Sequence, residues 1–469
     1  MPNDFDNNLK ATQKRLHSAW GDMIHDFEAA RNAIDQAEFM PATQNERNLA
    51  EGYRYLMGHL HAAIERAFHT DESQPQFRNA LSIITRGTID NADAIYFYTP
   101  IDGRASYTLR GEIGDARHWR GGTASPTGRK APHYVIFETS WGGLAGDSGD
   151  LKELRPGIKT QTGRLDSSEI EVNEDGSFEI LLAPKRPENY AGNFISTLKI
   201  VSHPHPTDPS IPPERYAQFL SGRQLFNDWE REDAIYFDMV RLGSEGDLSE
   251  IYTADRVDDE LRRCGKGVMH QMHFWNAFWT IPMGTYGHRK GSIPGVAFPR
   301  NAFNTVNAAS GATGGGMSTN LFAGGIVELA SDEVFIVENR CPLQPQYMGF
   351  QLGNLWGESL EYGNRAGSRN AHQSRIDDDG VQRFVIAHED PGVQNWLDTS
   401  GHPEVFMAPR WAYSQTPEPD DWPTITGKKV KFADLRKHLP ADTPSYSSEE
   451  RRAEIAIRQR RVRKRFRAF

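Results

Sequence analysis

An internal repeat constrains the fold of this chain more than any other feature. Residues 169–194 read EIEVNEDGSFEILLAPKRPENYAGNF, and residues 373–396 read QSRIDDDGVQRFVIAHEDPGVQNW. Each segment has an acidic turn ending in Asp-Gly, at Asp175-Gly176 and Asp379-Gly380. Each continues into a strand carrying Phe178 or Phe384, then a Pro, a Gly and an Asn-aromatic pair, Asn193-Phe194 or Asn395-Trp396. Asp-Gly between apolar runs signals a hairpin, because glycine accepts the positive φ of the turn. The series that follows makes duplication the economical explanation, so the chain reads as two diverged copies of one β-domain. Upstream, Tyr107–Glu112 and Tyr347–Gly353 read as matching strands. Asn193 and Asn395 stand in both copies and are expected to hold their own loops through side-chain to backbone bonds.

With 469 residues the chain exceeds one ordinary core. Residues 1–80 read as helical. Phe5, Leu9, Leu16, Trp20, Met23, Ile24 and Phe27 form one stripe, and Leu49, Tyr53, Leu56, Leu60, Ile64 and Phe68 another. Each stripe is expected to be the packed face. Short strands follow near Ala94–Tyr98, Ser106–Arg110, His133–Glu138 and Phe178–Leu182, separated by Gly, Pro and Asp. A Pro-rich stretch at 204–215 reads as a linker, and Pro213 as the head of a helix through Leu220. Asp255 to about Thr280 reads as a helix interrupted at Gly265 and Gly267, and Gly311–Gly316 as a loop without a phosphate-binding signature. Ser448 to Phe469 reads as a basic helix capped by Ser448. The expected fold is mainly β with helical additions, built on two tandem jelly-roll or β-sandwich-like domains. Its divisions are a helical region at 1–85, a first sandwich at 86–210, a helical connector at 211–300, a second sandwich at 301–415 and a tail with the basic helix at 416–469.

The net charge of −10 argues against a nucleic-acid partner, which needs a basic face. The arginines of the C-terminal helix are expected to dock on the protein's own body or on a second subunit, making a homo-oligomer through this helix. No apolar run reaches the ~20 residues of a bilayer span, so no membrane partner is expected. The N-terminus lacks the basic start and apolar run of a signal peptide, and the expected compartment is the cytoplasm. Cys264 and Cys341 are then reduced thiols.

The second copy contains QLGNLWGESLEYGNRAGSRNAHQSRIDDDG and DPGVQNWLDTSGH. These strings resemble the bacterial Domain of Unknown Function 1214 family over roughly residues 300–415. The resemblance rests on Leu355-Trp356, Glu358-Ser359-Leu360, Tyr362-Gly363-Asn364-Arg365, Asn370-Ala371-His372-Gln373, Asp390-Pro391-Gly392 and Asn395 through His402. The first copy is similar, more loosely, to a partner domain numbered 1254, through Asp175–Phe178 and Arg223–Trp229. The resemblance implies paired jelly-roll-like domains and brings no reaction with it; fold alone does not choose a function.

Two sets of residues can carry chemistry. His270 and His273 share one helix face, followed by Phe274, Trp275, Phe278 and Trp279, an aromatic run suited to line an apolar cleft. No third ligand is evident beside the histidines, so no metal is expected. In the second copy, Tyr362, Arg365, His372, Asp398, His402 and Arg410 form a polar set. Arginine can hold a carboxylate or an oxyanion, and tyrosine or histidine can move protons. The catalytic candidates are Tyr362, Arg365, His372, His270 and His273; the substrate-binding candidates are Trp275, Trp279, Trp356, Asp398, His402 and Arg410. The alternative for the polar set is a structural network, with Arg365 paired to Asp398.

There is no Gly-x-Ser-x-Gly elbow, dinucleotide fingerprint, Walker motif, cysteine cluster or HExxH. Cofactor-independent acid–base chemistry, or binding without chemistry, remains. The leading expectation is a catabolic lyase acting on a lipophilic aromatic small molecule, for example one losing formaldehyde from a lignin-derived phenylpropanoid. The alternatives are a glycan-binding or glycan-hydrolysing protein, which would need paired carboxylates such as Glu358, Glu361 or Asp398, and a non-catalytic structural partner.

Overall fold

The structure, a computed structural model, describes residues 2–35, 45–69, 71–87, 89–143, 145–283, 298–308 and 319–466. The Gly311–Gly316 loop lies outside the described residues. The chain begins with helices α1 (Pro2–Asp35) and α2 (Glu46–Phe68). Strands β1 (Arg78–Leu81), β2 (Ala94–Pro100), β3 (Tyr107–Glu112), β4 (Tyr134–Trp141), β5 (Thr160–Asp166), β6 (Ser177–Ala183), β7 (Asn193–Ser196), β8 (Leu198–Ile200), β9 (Glu214–Tyr216), β10 (Phe219–Leu225) and β11 (Tyr236–Arg241) follow. Helix α3 (Ala254–Thr280) leads to β12 (Asn320–Phe322), β13 (Gly325–Glu328), β14 (Glu333–Arg340), β15 (Tyr347–Gly353), β16 (Ser368–Asn370), β17 (Gln382–Ala387), β18 (Trp396–Asp398), β19 (Glu404–Ala412) and β20 (Thr424–Lys431). Helix α4 (Ser448–Phe466) closes the described chain.

The protein is mainly β with helical additions, as expected. In the first sandwich the sheet β1-β2-β10-β4-β5 faces β11-β3-β6-β7. In the second, β12-β19-β15-β16, with β13 also on β19, faces β18-β17-β14-β20. Each pair of sheets closes over its own apolar core, one around Phe97, Phe137 and Ile180, the other around Phe335, Phe350 and Phe384.

The duplication extends through the topology. In both copies the strand after the Asp-Gly turn pairs in parallel with the strand that the asparagine opens: β6 with β7, β17 with β18. Asn193 accepts from the Glu171 N–H at 2.7 Å and donates to the carbonyls of Glu171 and Glu179, both at 2.9 Å. Asn395 accepts from the Arg375 N–H at 2.8 Å and donates to Arg375 and Arg383 at 2.7 and 2.8 Å. Gly176 (φ 86°) and Gly380 (φ 77°) take the positive φ of their turns. These turns are not hairpins between paired strands. The strand before each lies in the opposite sheet, so the turn delivers the chain into β6 or β17 after it has crossed the sandwich. The strand match also shifts. By sheet order β3 corresponds to β14, and Tyr347–Gly353 (β15) corresponds to β4, not to Tyr107–Glu112.

Other expectations are corrected. The helix foreseen from Pro213 to Leu220 is strands β9 and β10, and β10 is the central strand of the first sandwich. Its two-residue alternation, with Leu220 inside and Ser221 and Arg223 outside, outweighs the helix-start signal of the prolines. The first sandwich therefore runs past residue 210 to Arg241, and the second past 415 to Lys431. Helix α3 is unbroken by Gly265; a Cβ there would stand 2.8 Å from the Met23 Cα, so glycine admits α1. The apolar stripes of α1 and α2 are only partly packed. Leu9, Trp20, Ile24, Leu49, Tyr53 and Ile64 are exposed, because Ala30, Ala33, Ala63 and Ala67 make the close contact around α3. The cap of α4 is Ser447, whose hydroxyl accepts from the Glu450 N–H while Glu450 accepts in return.

Helix α4 lies on the body of its own chain. Arg451, Arg458 and Arg465, seven residues apart, form one stripe. Arg451 pairs with Asp390 at 2.9 Å and lies over Trp396. Arg458 donates to the carbonyls of Tyr362 and Ser368 and lies over Trp229. Arg465 donates to the Ala92 carbonyl at 2.9 Å and lies over Trp229 and Phe226. This stripe, foreseen as a docking surface, is spent on the protein's own two domains.

Replacing Asn395 by Ala removes three hydrogen bonds and leaves backbone groups unpaired, so we expect a loss of about 2–3 kcal/mol. Asn395→Asp should rescue little, because two of the three bonds are donated by Nδ2. Urea denaturation of the variants checks both.

Candidate functional site

The two sandwiches meet through the outer faces of the sheets that hold β10 and β19. Strand alternation puts Phe97 and Phe137 in the first core and therefore turns Ala94, Tyr96 and Tyr98 of β2, Arg223 and Leu225 of β10, and Tyr134 and Glu138 of β4 outward. The same alternation in the second sandwich buries Met348, Phe350, Met407 and Trp411 and turns Tyr347, Gln351, Arg410 and Ala412 outward. Ala94, Leu225, Tyr96 and Tyr134 of one face touch Tyr347 and Ala412 of the other.

The floor of this junction is the Asp90–Asp93 segment. Asp93 is buried and accepts from the Trp229 indole at 2.7 Å, Asn370 at 3.0 Å and the Tyr347 hydroxyl at 2.5 Å. Burial raises the Asp93 pKa despite these donors. Burial and the neighbouring Asp93 raise that of Tyr347, so the phenol keeps its proton and donates it. Asp90 accepts from the Ser359 N–H and hydroxyl at 2.8 and 2.7 Å. Gln351 brackets the segment, donating to the Asp90 carbonyl and accepting from the Ala92 N–H. Arg410 donates to the Asp90 carbonyl at 3.0 Å.

Beside this floor, Arg223 is the electrostatic centre. Its register neighbours are Tyr96 and Ile136. Burial raises the Tyr96 pKa, while Arg410 and Arg223 pull it down. Burial also raises Tyr134 above the ordinary phenol value, with Asp166 adding to it and Arg223 opposing. Burial raises Glu138 against Arg223 and Arg164, and Gln161 donates to it at 2.6 Å. Tyr96 and Tyr134 are half-buried and pack beside Tyr347 and Ala412 of the second sandwich. This part of the junction, the candidate recess, combines two arginines, two protonated phenols and a carboxyl group whose pKa is raised by burial. That set can hold an oxyanion and exchange a proton.

Of the residues foreseen from sequence, Arg410 lies in this recess. Tyr362 packs with Ala92, Ile95, Phe226 and Trp229, under Arg86. Arg365 pairs with Asp398 at 2.8 Å, the structural alternative considered for it. His372 lies 3.5 Å from Asp228, and the buried His402 lies 3.0 Å from Glu51 of α2. His270 bonds the Asp147 carbonyl at 2.6 Å, and burial lowers the pKa of His273. Among the described residues no group of three His, Cys, Asp or Glu could hold a metal. The indoles of Trp275, Trp279 and Trp356 donate to Gln271, the Leu355 carbonyl and the Asn48 carbonyl. Trp356 packs with α2, and Trp279 with Phe298 and Phe406, so these rings join helices to the body. The carboxylates named for sugar hydrolysis are engaged separately: Glu358 with Arg54 and Asn354, Glu361 with the Gly363 and Asn364 N–H groups, Asp398 with Arg365.

Tyr96, Tyr134, Glu138 and Arg223 were not foreseen. Three of them lie in strands that the sequence reveals, where two-residue alternation around Phe97 and Phe137 could have marked them as outward-facing. Arg223 was hidden by the helix reading of the segment just before it.

No family model matches the chain, and no curated protein matches it. Solved structures do match. An uncharacterised protein from Burkholderia cenocepacia aligns over 90% of this chain and 99% of its own, with 24% identity and a TM-score of 0.68. A protein from Vibrio parahaemolyticus aligns over 87% of this chain and 100% of its own, with 11% identity and a TM-score of 0.38, and carries no argument. The first likeness shows the fold alone. No described helix is long and apolar enough to cross a membrane, and Cys264 and Cys341 are free.

Glu358 makes a pH test possible. It is fully buried, and burial raises its carboxyl to about 7 although Arg54, Arg86 and Asn354 oppose the shift. A carboxyl raised on folding stabilises the protein below its unfolded pKa, and that contribution is lost as pH rises through about 7. The stability of Glu358→Gln relative to the parent should therefore rise between about pH 4.5 and 8, by on the order of 3 kcal/mol. Denaturant midpoints of both proteins across that range check it.

Proposed function

We propose that the chain is a cofactor-independent acid–base enzyme that acts on an aromatic small molecule bound between its two β-domains. The observation that carries this reading is the grouping of Tyr96, Tyr134 and Glu138 around Arg223, with Arg410 reaching the same place from the second domain. The substrate ring lies against Tyr96 and Tyr134. Arg223 and Arg410 hold its anionic or oxyanionic group. Glu138 exchanges the proton, its pKa moved by burial in the direction a neutral-pH base needs.

Carbon–carbon or carbon–oxygen lyase chemistry suits such a set. For a substrate bearing a hydroxymethyl group, the carboxylate takes the hydroxyl proton. The bond to the ring-bearing carbon breaks, and formaldehyde leaves. The electron pair passes into the substrate's own conjugated acceptor beside the arginines, and the proton returns to carbon. The resemblance of residues 300–415 to the Domain of Unknown Function 1214 family adds no reaction, so the proposal rests on the recess. In this reading the enzyme works in the cytoplasm, where its thiols stay reduced.

The test is a turnover and thermal-shift screen of the purified chain against phenolic acids and hydroxymethyl phenylpropanoids, with formaldehyde release as one readout. For a substrate found this way, Glu138→Gln should lower kcat about 10²-fold and leave KM nearly unchanged. Arg223→Gln should lower kcat/KM by about 10²–10³. Turnover unaffected by either change would sink the assignment of the recess. A chain inert toward the whole panel would return it to the binding or structural class.

A further inference from the structure

A cavity of about 450 Å³ opens where the last turns of α4 meet the first sandwich. Its walls carry four cations, Arg129, Arg461, Lys464 and Arg465, and two carboxylates, Glu232 and Asp233. The carboxylates do not balance the cations. Glu232 is buried and both its oxygens are occupied, one by Lys130 at 2.8 Å and the other by the Asn227 N–H at 2.6 Å. Asp233 alone answers three cations: Arg129 at 2.8 Å, Arg461 at 3.9 Å and Lys464 in direct contact. The Arg461 Nε is buried and has no hydrogen-bond partner. An unpaired buried donor of a cationic group is costly, and Arg461 is one of the residues that line the cavity. Phe226, Trp229 and Tyr236 supply aromatic wall beside the cations, and Tyr236 is exposed at the rim.

We propose that this cavity is a binding site for a small phosphate monoester with a planar organic part. Its dianionic oxygens meet Arg461, Lys464 and Arg129, and its organic part lies along Tyr236 at the rim. A doubly charged oxyanion matches the excess of cations, and guanidinium geometry suits its oxygens. An inorganic ion alone would fill little of a cavity of this size, which is that of a small-molecule site.

Isothermal titration of the full chain with phenyl phosphate, inorganic phosphate and benzoate tests the proposal. Phenyl phosphate should bind at least tenfold more tightly than either of the others. Lys464→Gln and Arg461→Gln should each weaken it about tenfold. Asp233→Asn, which removes the competing carboxylate, should tighten it. Arg452→Gln and Arg463→Gln change exposed arginines of the same helix that do not line the cavity and should leave affinity unchanged. Melting curves identify any variant that fails to fold. If Arg461→Gln does so, the opposite shifts of Lys464→Gln and Asp233→Asn still decide. No binding of phenyl phosphate at millimolar concentration would overturn the site. So would equal loss in the Arg452 and Arg463 variants, which would mean a diffuse basic surface, or equal affinity for inorganic phosphate, which would mean an anion hole without an organic subsite.

Discussion

The carboxylate of Asp93 is the point on which the two halves of the molecule depend. It is buried where the sandwiches meet, and every close partner is a neutral donor: Trp229 from the first sandwich, Tyr347 and Asn370 from the second. A buried charge without a contacting cation is expensive, and burial drives its pKa upward. The cost falls as donors converge, and these donors converge only when the sandwiches are in register. Asp93 thus converts a large desolvation penalty into a demand for one interdomain geometry. Arg465, placed by α4 over the same Trp229, supplies the more distant positive charge that favours the ionised form. The C-terminal helix is consequently part of the junction, and its basic character serves an otherwise acidic protein internally.

Duplication explains what the halves share, and the junction explains where they differ. The asparagine that opens the parallel strand makes the same three bonds in each copy, because each sandwich has the same crossing to secure. The outward faces carry no such common demand. One became rich in tyrosine, arginine and glutamate; the other kept small residues such as Gly349, Gly353, Ala408 and Ala412 beside Arg410. A polar, aromatic face thus meets a face of smaller side chains, with Tyr347 and Gln351 making the hydrogen bonds across it.

Much of the architecture was legible before any coordinates. The Asp-Gly turns, the asparagines and the aromatic alternation mark a duplicated β-protein, and the Arg365–Asp398 pair was named as the alternative to a role in catalysis and substrate binding. The second-copy polar residues were harder to read, since Tyr362, His372 and His402 are polar enough for chemistry yet each serves as a local clamp to a different neighbour. Sequence spacing reports which residues share a strand or a helix face. It does not report which outer face meets which, and the recess is made by that meeting. Strand β10 shows the second limit. Prolines at 212 and 213 carry a strong local helix signal, while the strand preference of Phe219–Leu225 is enforced by pairing with β2 and β4, whose partners lie roughly 80 to 130 residues away in the chain.

The two proposed sites share one short segment. Residues 90–93 present Asp90 and Asn91 to the recess, while the Ala92 carbonyl holds Arg465 at the edge of the α4 cavity. Trp229 connects them physically: its indole N–H is fixed by Asp93, and its ring lies beneath Arg458 and Arg465. Arg465 lines that cavity as well as acting on Asp93, so an anion bound there would offset part of the positive potential that Arg465 supplies to Asp93. The Tyr347–Asp93 bond, which helps hold the second sandwich against the first, would feel that change directly. Coupling of this kind needs no moving domain, only a buried carboxylate whose charge is shared between a helix on one side and a phenol on the other.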